Sequence, residues 1–448
     1  MYAELNNLIQ FLKGKKILIS GFGREGISTL RFLQKYVTDV QITVYDQNAI
    51  SLPEDCKSLK INVERGEKCY CSPQDFDIML KSPGISLDKI SSDWILQGKL
   101  SSQTELLLRF FGHKTIGITG TKGKSTTTTL IYHILNYCGK EAVLAGNMGL
   151  PFLDKIAETQ TKLIVAELSS HQLEKINYAP HIAILLNIFP EHLDHYESFM
   201  HYAMAKWNIG TKQTKDDFLI IQSDWIKSEW ADCISNSRGN ICFFGLDNGK
   251  AFFEINKQKI HVEIDKLKSP LKGEHNLINI ASAIAASYKA GVSVEKAVES
   301  LYSFQPLPHR LEFVREWHGV KFINDSISTI PQSAIAAINS YPSTETIILG
   351  GFNRGINYDE LIDFLILKDI KNVVLMGEVG DVLGSKLKEK KFKNNLFYAK
   401  SMEEVVKIAS ENTQYNKVCM FSPAAASYDK YINFEYRGND FKKYVNDL

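Results

Sequence analysis

Short apolar runs rich in β-branched residues alternate along this chain with amphipathic stretches of helical length. The first half contains such runs at residues 16–20, 41–45, 115–119, 163–166 and 182–186. A glycine turn after the first run leads into an amphipathic stretch that predicts a helix from about Ile27 to Tyr36. Strands that alternate with helices are typical of parallel sheets covered by helices, so the pattern predicts an α/β fold.

A further set of apolar runs follows the segment Pro306-Leu-Pro308, which has the composition of a hinge between domains. These runs lie at residues 321–323, 346–349, 373–376 and 417–421. Three strand–helix series in 448 residues agree with the expectation of roughly 150 residues per domain. We therefore predict three domains, at residues 1–111, 112–307 and 308–448.

The amino-acid composition indicates which kinds of molecule the chain would not bind and in which compartment it would work. A total of 52 basic and 51 acidic side chains gives a formal net charge of +1, so neither nucleic acid nor an anionic membrane would attract the chain in bulk. The seven cysteines are scattered without a CxxC pair, which favours free thiols. The N-terminus lacks the pattern of a signal peptide, and apolar runs such as residues 182–189 are too short to cross a bilayer. These features predict a soluble cytoplasmic protein.

The first glycine turn has the spacing of a dinucleotide-binding loop. The segment Gly21-Phe-Gly23-Arg-Glu-Gly26 lies between the first predicted strand and its helix, and Asp46 follows the second strand. Glycines in such a loop let the backbone approach a pyrophosphate, and the acid can accept a hydrogen bond from a ribose hydroxyl. This physics requires only a nucleotide diphosphate, so NAD and a UDP-sugar both remain open at this point.

The second glycine turn predicts a site for ATP. Gly120-Thr-Lys-Gly123-Lys124-Ser125-Thr126 follows a strand and begins a helix, although Ile118 stands where the first glycine of a strict P-loop would be. Backbone N–H groups at the helix start would cradle phosphate, Lys124 would reach the β- and γ-phosphates, and Ser125 would hold Mg²⁺.

Acidic and histidine side chains follow two of the neighbouring strands. Glu167 ends the run at residues 163–166, while His192 and Asp194 follow the run at residues 182–186. Each alone could be structural, for instance a solvated carboxylate at a helix start. Because parallel strands end at one edge of a sheet, Glu167 and His192 together form a candidate set of ligands for Mg²⁺ or substrate.

Five motifs in this order resemble the Mur ligase family, and the resemblance runs through nearly the whole chain. They are Thr119-Gly-Thr-Lys-Gly-Lys-Ser125, Gly146-Asn147-Met-Gly149, Glu167-Leu-Ser-Ser170, Gly273-Glu-His-Asn276 with Asn279, and His309-Arg310-Leu-Glu312. Folylpolyglutamate synthase shares the ATP core but lacks a comparable N-terminal domain. The resemblance implies a Rossmann-like domain that binds a UDP-linked substrate, a central P-loop ATPase and a Rossmann-like C-terminal domain.

Within the family, the pattern is most similar to that of the ligases that add glutamate to UDP-N-acetylmuramoyl-L-alanine. The supporting segments are Gly21-Phe-Gly23, Ser82-Pro-Gly-Ile85, Asn324-Asp-Ser326, Ser422-Pro-Ala-Ala-Ala-Ser427-Tyr-Asp429 and Asn433-Phe434-Glu-Tyr-Arg437-Gly438. The implied reaction is an ATP-dependent, ADP-forming ligation in peptidoglycan precursor synthesis, through an acyl phosphate. The implied protein is a monomer whose partners are its small-molecule substrates.

The resemblance also implies roles for individual residues. ATP would contact Gly120, Thr121, Lys122, Gly123, Lys124, Ser125, Thr126, Asn276, Asn279, Arg310 and Asp325. The UDP-linked substrate would contact Gly23, Arg24, Glu25, Asp46, Gln47, Asn147, Ser169 and His192. Two Mg²⁺ ions would be held by Ser125, Glu167, His192 and Lys206 as its carbamate, and the catalytic residues would be Lys124, Glu167, His192 and Lys206.

The glutamate pocket departs from the family pattern at one position. Where the enzymes specific for D-glutamate read Asn-Asp-Ser-Lys, this chain has Ile327 in place of the lysine. Contacts to glutamate would then come from Thr329, Arg354, Ser427 and Phe434. The loss of one charged contact can reshape specificity, so D-glutamate, the family's usual substrate, and L-glutamate both remain open.

Three other interpretations are compatible with parts of the sequence. The chain could be a Mur ligase that adds another amino acid or a dipeptide, against which the segment from Ser422 to Gly438 argues. It could be an NAD-dependent dehydrogenase, which would leave Glu167, His192 and Lys206 unexplained. It could also be a nucleotide-gated binding protein without catalysis, against which Lys124, Glu167 and Arg310 argue.

Overall fold

Three separate sheets, each flanked by helices, make up the fold. The computed structural model describes residues 3–56, 61–66, 73–146, 151–191, 195–265 and 268–448. The chain divides into two compact units. The first comprises Met1–Ser269 and His275–Phe304 and holds two of the sheets, and the second comprises Pro270–Glu274 and Gln305–Leu448.

The first sheet is wholly parallel, in the order β3-β2-β1-β4-β5. Its strands are β1 (Lys16–Ser20), β2 (Gln41–Asp46), β3 (Ile61–Arg65), β4 (Ile78–Lys81) and β5 (Leu100–Ser101). The helices around it are α1 (Ala3–Leu12), α2 (Arg24–Tyr36), α3 (Ser92–Leu96) and α4 (Gln103–Phe111). Because β1 lies at the centre with helices on both faces, all of its residues after Lys16 are buried.

The second sheet combines a parallel part with an antiparallel edge, in the order β13-β12-β11-β10-β9-β6-β8-β7. Its strands are β6 (Thr115–Thr119), β7 (Ala142–Gly146), β8 (Leu163–Glu167), β9 (Ile182–Leu185), β10 (Phe218–Gln222), β11 (Asn240–Asp247), β12 (Lys250–Ile255) and β13 (Gln258–His261). The helices are α5 (Lys124–Tyr137), α6 (Ser170–Leu173), α7 (Phe199–Thr211), α8 (Ala231–Ser235), α9 (Glu274–Lys289) and α10 (Val294–Leu301). Only the β11–β12 and β12–β13 pairs are antiparallel among the described strands of this sheet.

The third sheet forms the core of the second unit, in the order β14-β15-β19-β16-β17-β18. Its strands are β14 (Glu312–Trp317), β15 (Val320–Asn324), β16 (Thr344–Gly350), β17 (Asn372–Met376), β18 (Asn395–Ala399) and β19 (Val418–Phe421). The helices are α11 (Pro331–Ser340), α12 (Asp359–Leu367), α13 (Gly377–Glu389), α14 (Met402–Asn412) and α15 (Phe434–Asn446). Apart from the antiparallel edge strand β14, its described strands pair in parallel.

The strands predicted from sequence are all confirmed, with ends displaced by up to two residues. Helix α2 begins at Arg24 rather than near Ile27, because Gly23 is its N-cap and the glycine motif itself supplies the first turn. The hairpin of β11 and β12 was not predicted from sequence. Its turn contains Asn248 and Gly249, both with positive φ, and an Asn-Gly pair between apolar runs is a strong hairpin signal.

The described helices include none that is both long and apolar enough to cross a membrane. In the second unit, helices pack on both faces of the sheet and bury a large aromatic pair. The rings of Phe421 on β19 and Phe441 on α15 have centroids 4.6 Å apart, and both side chains are fully buried. This pair fixes α15 on one face of the third sheet.

We expect Phe441→Ala to lower the free energy of unfolding of the second unit by about 3–5 kcal/mol, because it leaves a cavity under α15. Chemical denaturation followed by circular dichroism measures the change. The matched control is Leu367→Ala at an exposed helix end, where the side chain is 84% exposed and the expected change is below about 0.5 kcal/mol. Equal effects of the two substitutions would contradict this account of the core.

Candidate functional site

The loop between β6 and α5 is shaped by close contacts around one glycine. Gly123 is the N-cap of α5 and has φ 85°, a conformation that side chains rarely adopt. A Cβ atom at this position would lie 2.4 Å from Oδ1 of Asn279 on α9. The structure therefore brings Asn279 against the predicted phosphate loop, although the two are far apart in sequence.

Asn187, which follows β9, holds the same loop in place. Its backbone oxygen accepts from the N–H of Thr121 at 2.9 Å, and its Oδ1 accepts from the N–H of Lys122 at 2.8 Å. Its Nδ2 donates to the oxygen of Lys122 at 2.9 Å. Asn187 was not predicted from sequence, where its only signal is its position just beyond the end of a strand.

Lys124 lies in the first turn of α5 and folds back over the loop. Its Nζ donates to the backbone oxygens of Gly120 and Thr121, each at 3.0 Å. The first N–H groups of a helix have no intrahelical acceptor and favour an anion there. A flexible ammonium above a helix start is the arrangement that binds the phosphates of a nucleotide.

Lys206 on α7 reaches the same backbone oxygen from the interior. Its side chain is buried, and its Nζ donates to the oxygen of Gly120 at 2.8 Å. Burial, reinforced by the neighbouring charge of Lys124, lowers the pKa of Lys206 from 10.5 to about 7. A substantial fraction of the amine is therefore neutral near pH 7, and a neutral amine is the form that can react with carbon dioxide.

Glu167 ends β8, the strand beside β6, and is paired in register with Ile118. Its carboxylate is buried and close enough to Lys206 to raise the pKa of that lysine. Carboxylate and hydroxyl oxygens are ligands that Mg²⁺ prefers, so Glu167 and Ser125 are chemically suited to that ion. His192 and Asp194 lie outside the described residues, and within the described part no group of three or more His, Cys, Asp or Glu is placed to hold a metal ion.

Two buried amides on α9 complete the loop's surroundings. Asn276 and Asn279 are each about 95% buried, and Nδ2 of Asn279 donates to Oδ1 of Asn276 at 3.2 Å. The structure thus brings together most of the residues predicted for ATP in the first unit. The other two, Arg310 and Asp325, belong to the second unit.

In the first sheet, Asp46 closes the other glycine loop. Its Oδ2 accepts from the N–H of Phe22 and its Oδ1 from the N–H of Asn48, both at 2.8 Å. The carboxylate therefore fixes the loop that starts at Gly21, while Gly23 and Gln47 are exposed beside it. This geometry keeps the edge of the loop accessible to a nucleotide.

Gln172 links two of the residues predicted for the UDP-linked substrate. Its Nε2 donates to Oε1 of Glu25 at 2.9 Å, and it forms a capping box with Ser169 at the start of α6. Burial raises the pKa of Glu25 to about 6. Gln172 was not predicted from sequence, and Asn147, the next predicted contact, lies outside the described residues.

In the second unit, Arg310 is held by an unusual turn. Its neighbours His309 and Leu311 have φ values of 63° and 47°, which are uncommon for residues other than glycine. The N–H of His309 donates to Oε2 of Glu312 at 2.8 Å, and the N–H of Leu311 donates to Oδ1 of Asp325 at 3.2 Å. The turn therefore fixes the backbone on both sides of the arginine.

Asp325 connects this turn to the end of β19. Its Oδ2 accepts from the hydroxyl of Ser422 at 2.7 Å, and burial raises its pKa to about 7. Both oxygens of the carboxylate thus bind the protein itself. Asp325 has a clear structural role here, and its contact with a nucleotide stays a prediction.

A buried arginine that was not predicted from sequence, Arg437, binds the backbone just before Ser427, one of the predicted glutamate contacts. Arg437 donates to the hydroxyl and backbone oxygens of Ser326 at 3.1 and 2.7 Å, and to the oxygens of Ala425 and Ala426. Desolvation lowers its pKa to about 10. Its position in the terminal motif was the only sequence signal. Arg437 joins the loops after β15 and β19, which carry two of these contacts, Thr329 and Ser427.

The predicted contacts themselves lie on these loops and nearby. Ser427 is buried, and the backbone oxygen of Phe434 accepts from the hydroxyl of Ser326 at 2.9 Å. Arg354 donates from Nη2 to the backbone oxygen of Thr329 at 3.2 Å. The structure therefore brings Arg354 and Thr329 together, and Arg354 remains exposed.

The parallel sheets, the glycine loop at the start of α5 and the lysine above it define a nucleotide-binding α/β protein. The sequence model of the Mur ligase middle domain matches residues 118–287. The UDP-N-acetylmuramoylalanine–D-glutamate ligase of Clostridioides difficile (strain 630) is 35% identical over 458 residues, covering 98% of this chain and 99% of that protein. The ligase of the same name from Streptococcus thermophilus (strain ATCC BAA-491 / LMD-9) is 34% identical and covers 96% and 97%. The chain belongs to the Mur ligase family.

Solved structures show the same fold. The UDP-N-acetylmuramate–alanine ligase of Thermotoga maritima has a TM-score of 0.57 at 17% identity, covering 97% of this chain and 100% of that chain. The MurF ligase of Thermotoga maritima in complex with ADP has a TM-score of 0.59 at 16% identity, covering 100% of both. These similarities confirm the predicted α/β fold of three domains, while the exact boundaries between the domains stay a prediction.

We expect Lys206→Met to stabilise the protein at pH 7 by an amount on the order of a few kcal/mol, because it removes a buried amine that is partly charged. The pKa of Lys206 is about 7 in the folded protein and 10.5 in the unfolded chain. Between pH 7 and pH 10.5 the unfolded state therefore binds more protons than the folded state. The stability of the unsubstituted protein therefore rises with pH across this window. The advantage of the variant is fully present below pH 7 and declines towards pH 10.5.

Thermal and urea unfolding in degassed buffer at several pH values measure this difference. The control is Lys212→Met, an exposed lysine at the C-cap of the same helix, for which no such dependence is expected. A difference between Lys206→Met and the unsubstituted protein that stays constant from pH 6 to 10 would show that the amine is not buried as described.

Proposed function

We propose that this chain is an ATP-dependent, ADP-forming ligase that adds glutamate to UDP-N-acetylmuramoyl-L-alanine, with D-glutamate as the amino acid. The full-length similarity to ligases of that name supports the substrates. The observation that carries the chemistry is the convergence of Lys124 and Lys206 on the backbone oxygen of Gly120, beside Glu167. Neither a dehydrogenase nor a passive binding protein accounts for a buried lysine of low pKa at a phosphate loop.

Each domain has one part in this proposal. Residues 1–111 bind the UDP-linked substrate through the loop from Gly21 to Gly26, with Gly23, Arg24, Glu25, Asp46 and Gln47, and residues 112–307 contribute Asn147, Ser169 and His192. The central domain also binds ATP through residues 120–126 with Asn276 and Asn279. Residues 308–448 supply Arg310 and Asp325 for ATP, and Thr329, Arg354, Ser427 and Phe434 for glutamate.

In the first step, a carboxylate oxygen of the acceptor's alanine attacks the γ-phosphorus of ATP, and the bond to the bridging oxygen of ADP breaks. Lys124 and Arg310 bind the phosphate oxygens and offset the charge that shifts to ADP. Mur ligases use ATP and Mg²⁺, and the ion supplies positive charge at the phosphates when bound. Ser125 and Glu167 are the described residues suited to hold it, with His192 and carbamylated Lys206 as further ligands.

In the second step, the neutral amine of glutamate attacks the acyl carbon, phosphate leaves and the amine loses a proton. An acyl phosphate hydrolyses in water, so the enzyme must exclude solvent around it. Arg437 keeps the loops after β15 and β19 rigid through its bonds to Ser326, Ala425 and Ala426. Glutamate is thereby held by preformed loops instead of by mobile chain.

We further propose that the protein acts as a monomer in the cytoplasm, where ATP and the UDP-linked precursor are available. The five cysteines in the described part of the chain are free thiols, which suits a reducing compartment.

We expect phosphate release from ATP and Mg²⁺ with UDP-N-acetylmuramoyl-L-alanine to require D-glutamate. A coupled phosphate assay with D- and L-glutamate in parallel measures it, and Lys124→Met should lower kcat at least 100-fold. Release with L-glutamate alone would establish the other isomer as substrate. Release only with a different amino acid would contradict the glutamate pocket while leaving the ligase class intact.

Ile327 is the position to test for the isomer. Its N–H donates to the backbone oxygen of His309 at 3.1 Å, so its backbone is fixed while its side chain is only half-buried. We expect Ile327→Lys to lower the KM for D-glutamate roughly 10-fold, since it adds a charged contact to a carboxylate. Arg354→Met should raise that KM by a similar factor if Arg354 compensates for the missing lysine. An unchanged KM in both variants would contradict the assignment of this pocket.

A further inference from the structure

Lys81, the last residue of β4, is a buried lysine with no role in the reaction described above. It is 6% exposed, and its Nζ donates to the backbone oxygens of Ile85 at 2.6 Å, Ser82 at 3.2 Å and Pro83 at 3.5 Å. The ammonium thus lies inside the turn at residues 82–85 and binds three backbone carbonyl groups of that turn. An ammonium has three donors, so these contacts satisfy it without water.

The turn that Lys81 organises packs directly against the first glycine loop. The hydroxyl of Ser82 donates to the backbone oxygen of Gly21 at 2.8 Å, and its N–H donates to the oxygen of Ser20 at 2.8 Å. A Cβ atom at Gly21 would lie 2.7 Å from Cβ of Ser82. With no space between them, a displacement of the turn must displace the loop that begins at Gly21.

Carboxylates from two different parts of the first unit face the same ammonium. Glu25 belongs to α2 beside the glycine loop, and Glu174 follows α6 beside the second sheet, and both raise the pKa of Lys81 while burial lowers it more strongly. The charge of Arg24 acts on Glu25. Two further groups, Asp88 and His195, act on Glu174, and Nε2 of His195 lies 3.7 Å from Oε1 of Glu174. Oε2 of Glu25 and Oε2 of Glu174 are buried without a hydrogen-bond partner. The buried ammonium of Lys81 is therefore attracted by one carboxylate from beside the first sheet and one from beside the second.

We propose that Lys81 is a positioning residue for the UDP-linked substrate, which it serves by holding the turn at residues 82–85 against the glycine loop. The inference rests on the proposed function, because it takes the loop from Gly21 to Gly26 as the site of the nucleotide diphosphate. Lys81 itself does not touch the substrate. Its ammonium determines where the backbone of the loop lies, and the attraction of Glu25 and Glu174 keeps the ammonium in place.

The variant Lys81→Met keeps the apolar stem and removes the charge and the three donors. We expect the KM for UDP-N-acetylmuramoyl-L-alanine to rise at least 10-fold, while the KM for ATP and kcat change less than 3-fold. The variant also leaves two buried carboxylates without their cation, so a lower melting temperature is expected. Lys99→Met is the matched control, since Nζ of Lys99 donates to a single backbone oxygen, that of Pro73, at 3.1 Å.

A double variant separates positioning from charge balance. Lys81→Met with Glu174→Gln removes one of the two carboxylates, so we expect the melting temperature to recover. The KM for the UDP-linked substrate should stay raised, because the carbonyl groups of the turn still lack their donor. Recovery of both quantities would overturn the inference and leave Lys81 with charge balance alone, and so would an unchanged KM in the single variant.

Binding of UDP alone, measured by calorimetry, distinguishes failure of the inference from failure of the proposed function. If the unsubstituted protein binds UDP but turns over no muramoyl substrate, the proposed reaction is wrong, and a weaker affinity of Lys81→Met for UDP still supports the inference. Equal affinities overturn it. If the unsubstituted protein does not bind UDP, the first glycine loop is not the nucleotide site and both fail.

Discussion

Two lysines share one backbone oxygen at the start of the phosphate loop, and this arrangement constrains everything around it. Lys124 reaches the oxygen of Gly120 from the loop itself, and Lys206 reaches it from the buried side of α7. Two ammonium groups so close repel each other, which helps to lower the pKa of the buried one. The carboxylates of Glu167 and Glu191 offset part of this positive charge, and the phosphates of a bound nucleotide, or a carbamate on Lys206, would offset more of it.

Buried charges also act on one another beside the first sheet, where two carboxylates face one ammonium. There, the single buried ammonium of Lys81 is attracted by two carboxylates, those of Glu25 and Glu174. Buried ionic groups of this kind contribute little net stability to the folded protein, but removal of one of them destabilises the protein strongly, because it leaves a buried charge without its partner. Their value lies in geometry, since the ammonium selects one arrangement of the turn at residues 82–85. Both glycine loops of the first unit thus depend on a lysine that binds backbone oxygens.

The sequence was sufficient for the α/β fold class and for nine strands of the parallel parts of the sheets, because strand burial and the glycine turns leave strong local patterns, whereas the hairpin of β11 and β12 was missed. Helix α2 was predicted three residues short, since periodicity cannot show that the glycine motif is also the first helical turn. Asn187, Gln172 and Arg437 were missed because their roles depend on partners far away in sequence. The sequence alone does not distinguish a side-chain amide or guanidinium that binds backbone oxygens from any other polar side chain.

Some of the site depends on distances that no local pattern encodes. Lys206 could be identified from its motif, but its burial and its contact with Gly120 follow from the packing of α7 against the second sheet. The hydrogen bonds that Asp325 accepts from Leu311 and Ser422 also could not be predicted from its motif, and its contact with a nucleotide stays a prediction. A carboxylate in a motif can therefore support the backbone of a site through partners that are distant in sequence.

The left-handed turn at His309 also limits how the sequence can change over time. Nδ1 of His309 lies 2.9 Å from the amide nitrogen of Asn324, and a Cβ atom at Gly438 on α15 would come within 2.2 Å of that Nδ1. A mutation of Gly438 to any larger residue must therefore move the imidazole, and with it the backbone that presents Arg310. Positions 309 and 438 are expected to vary together or not at all, so lineages that lose the glycine should carry a smaller residue in place of the histidine.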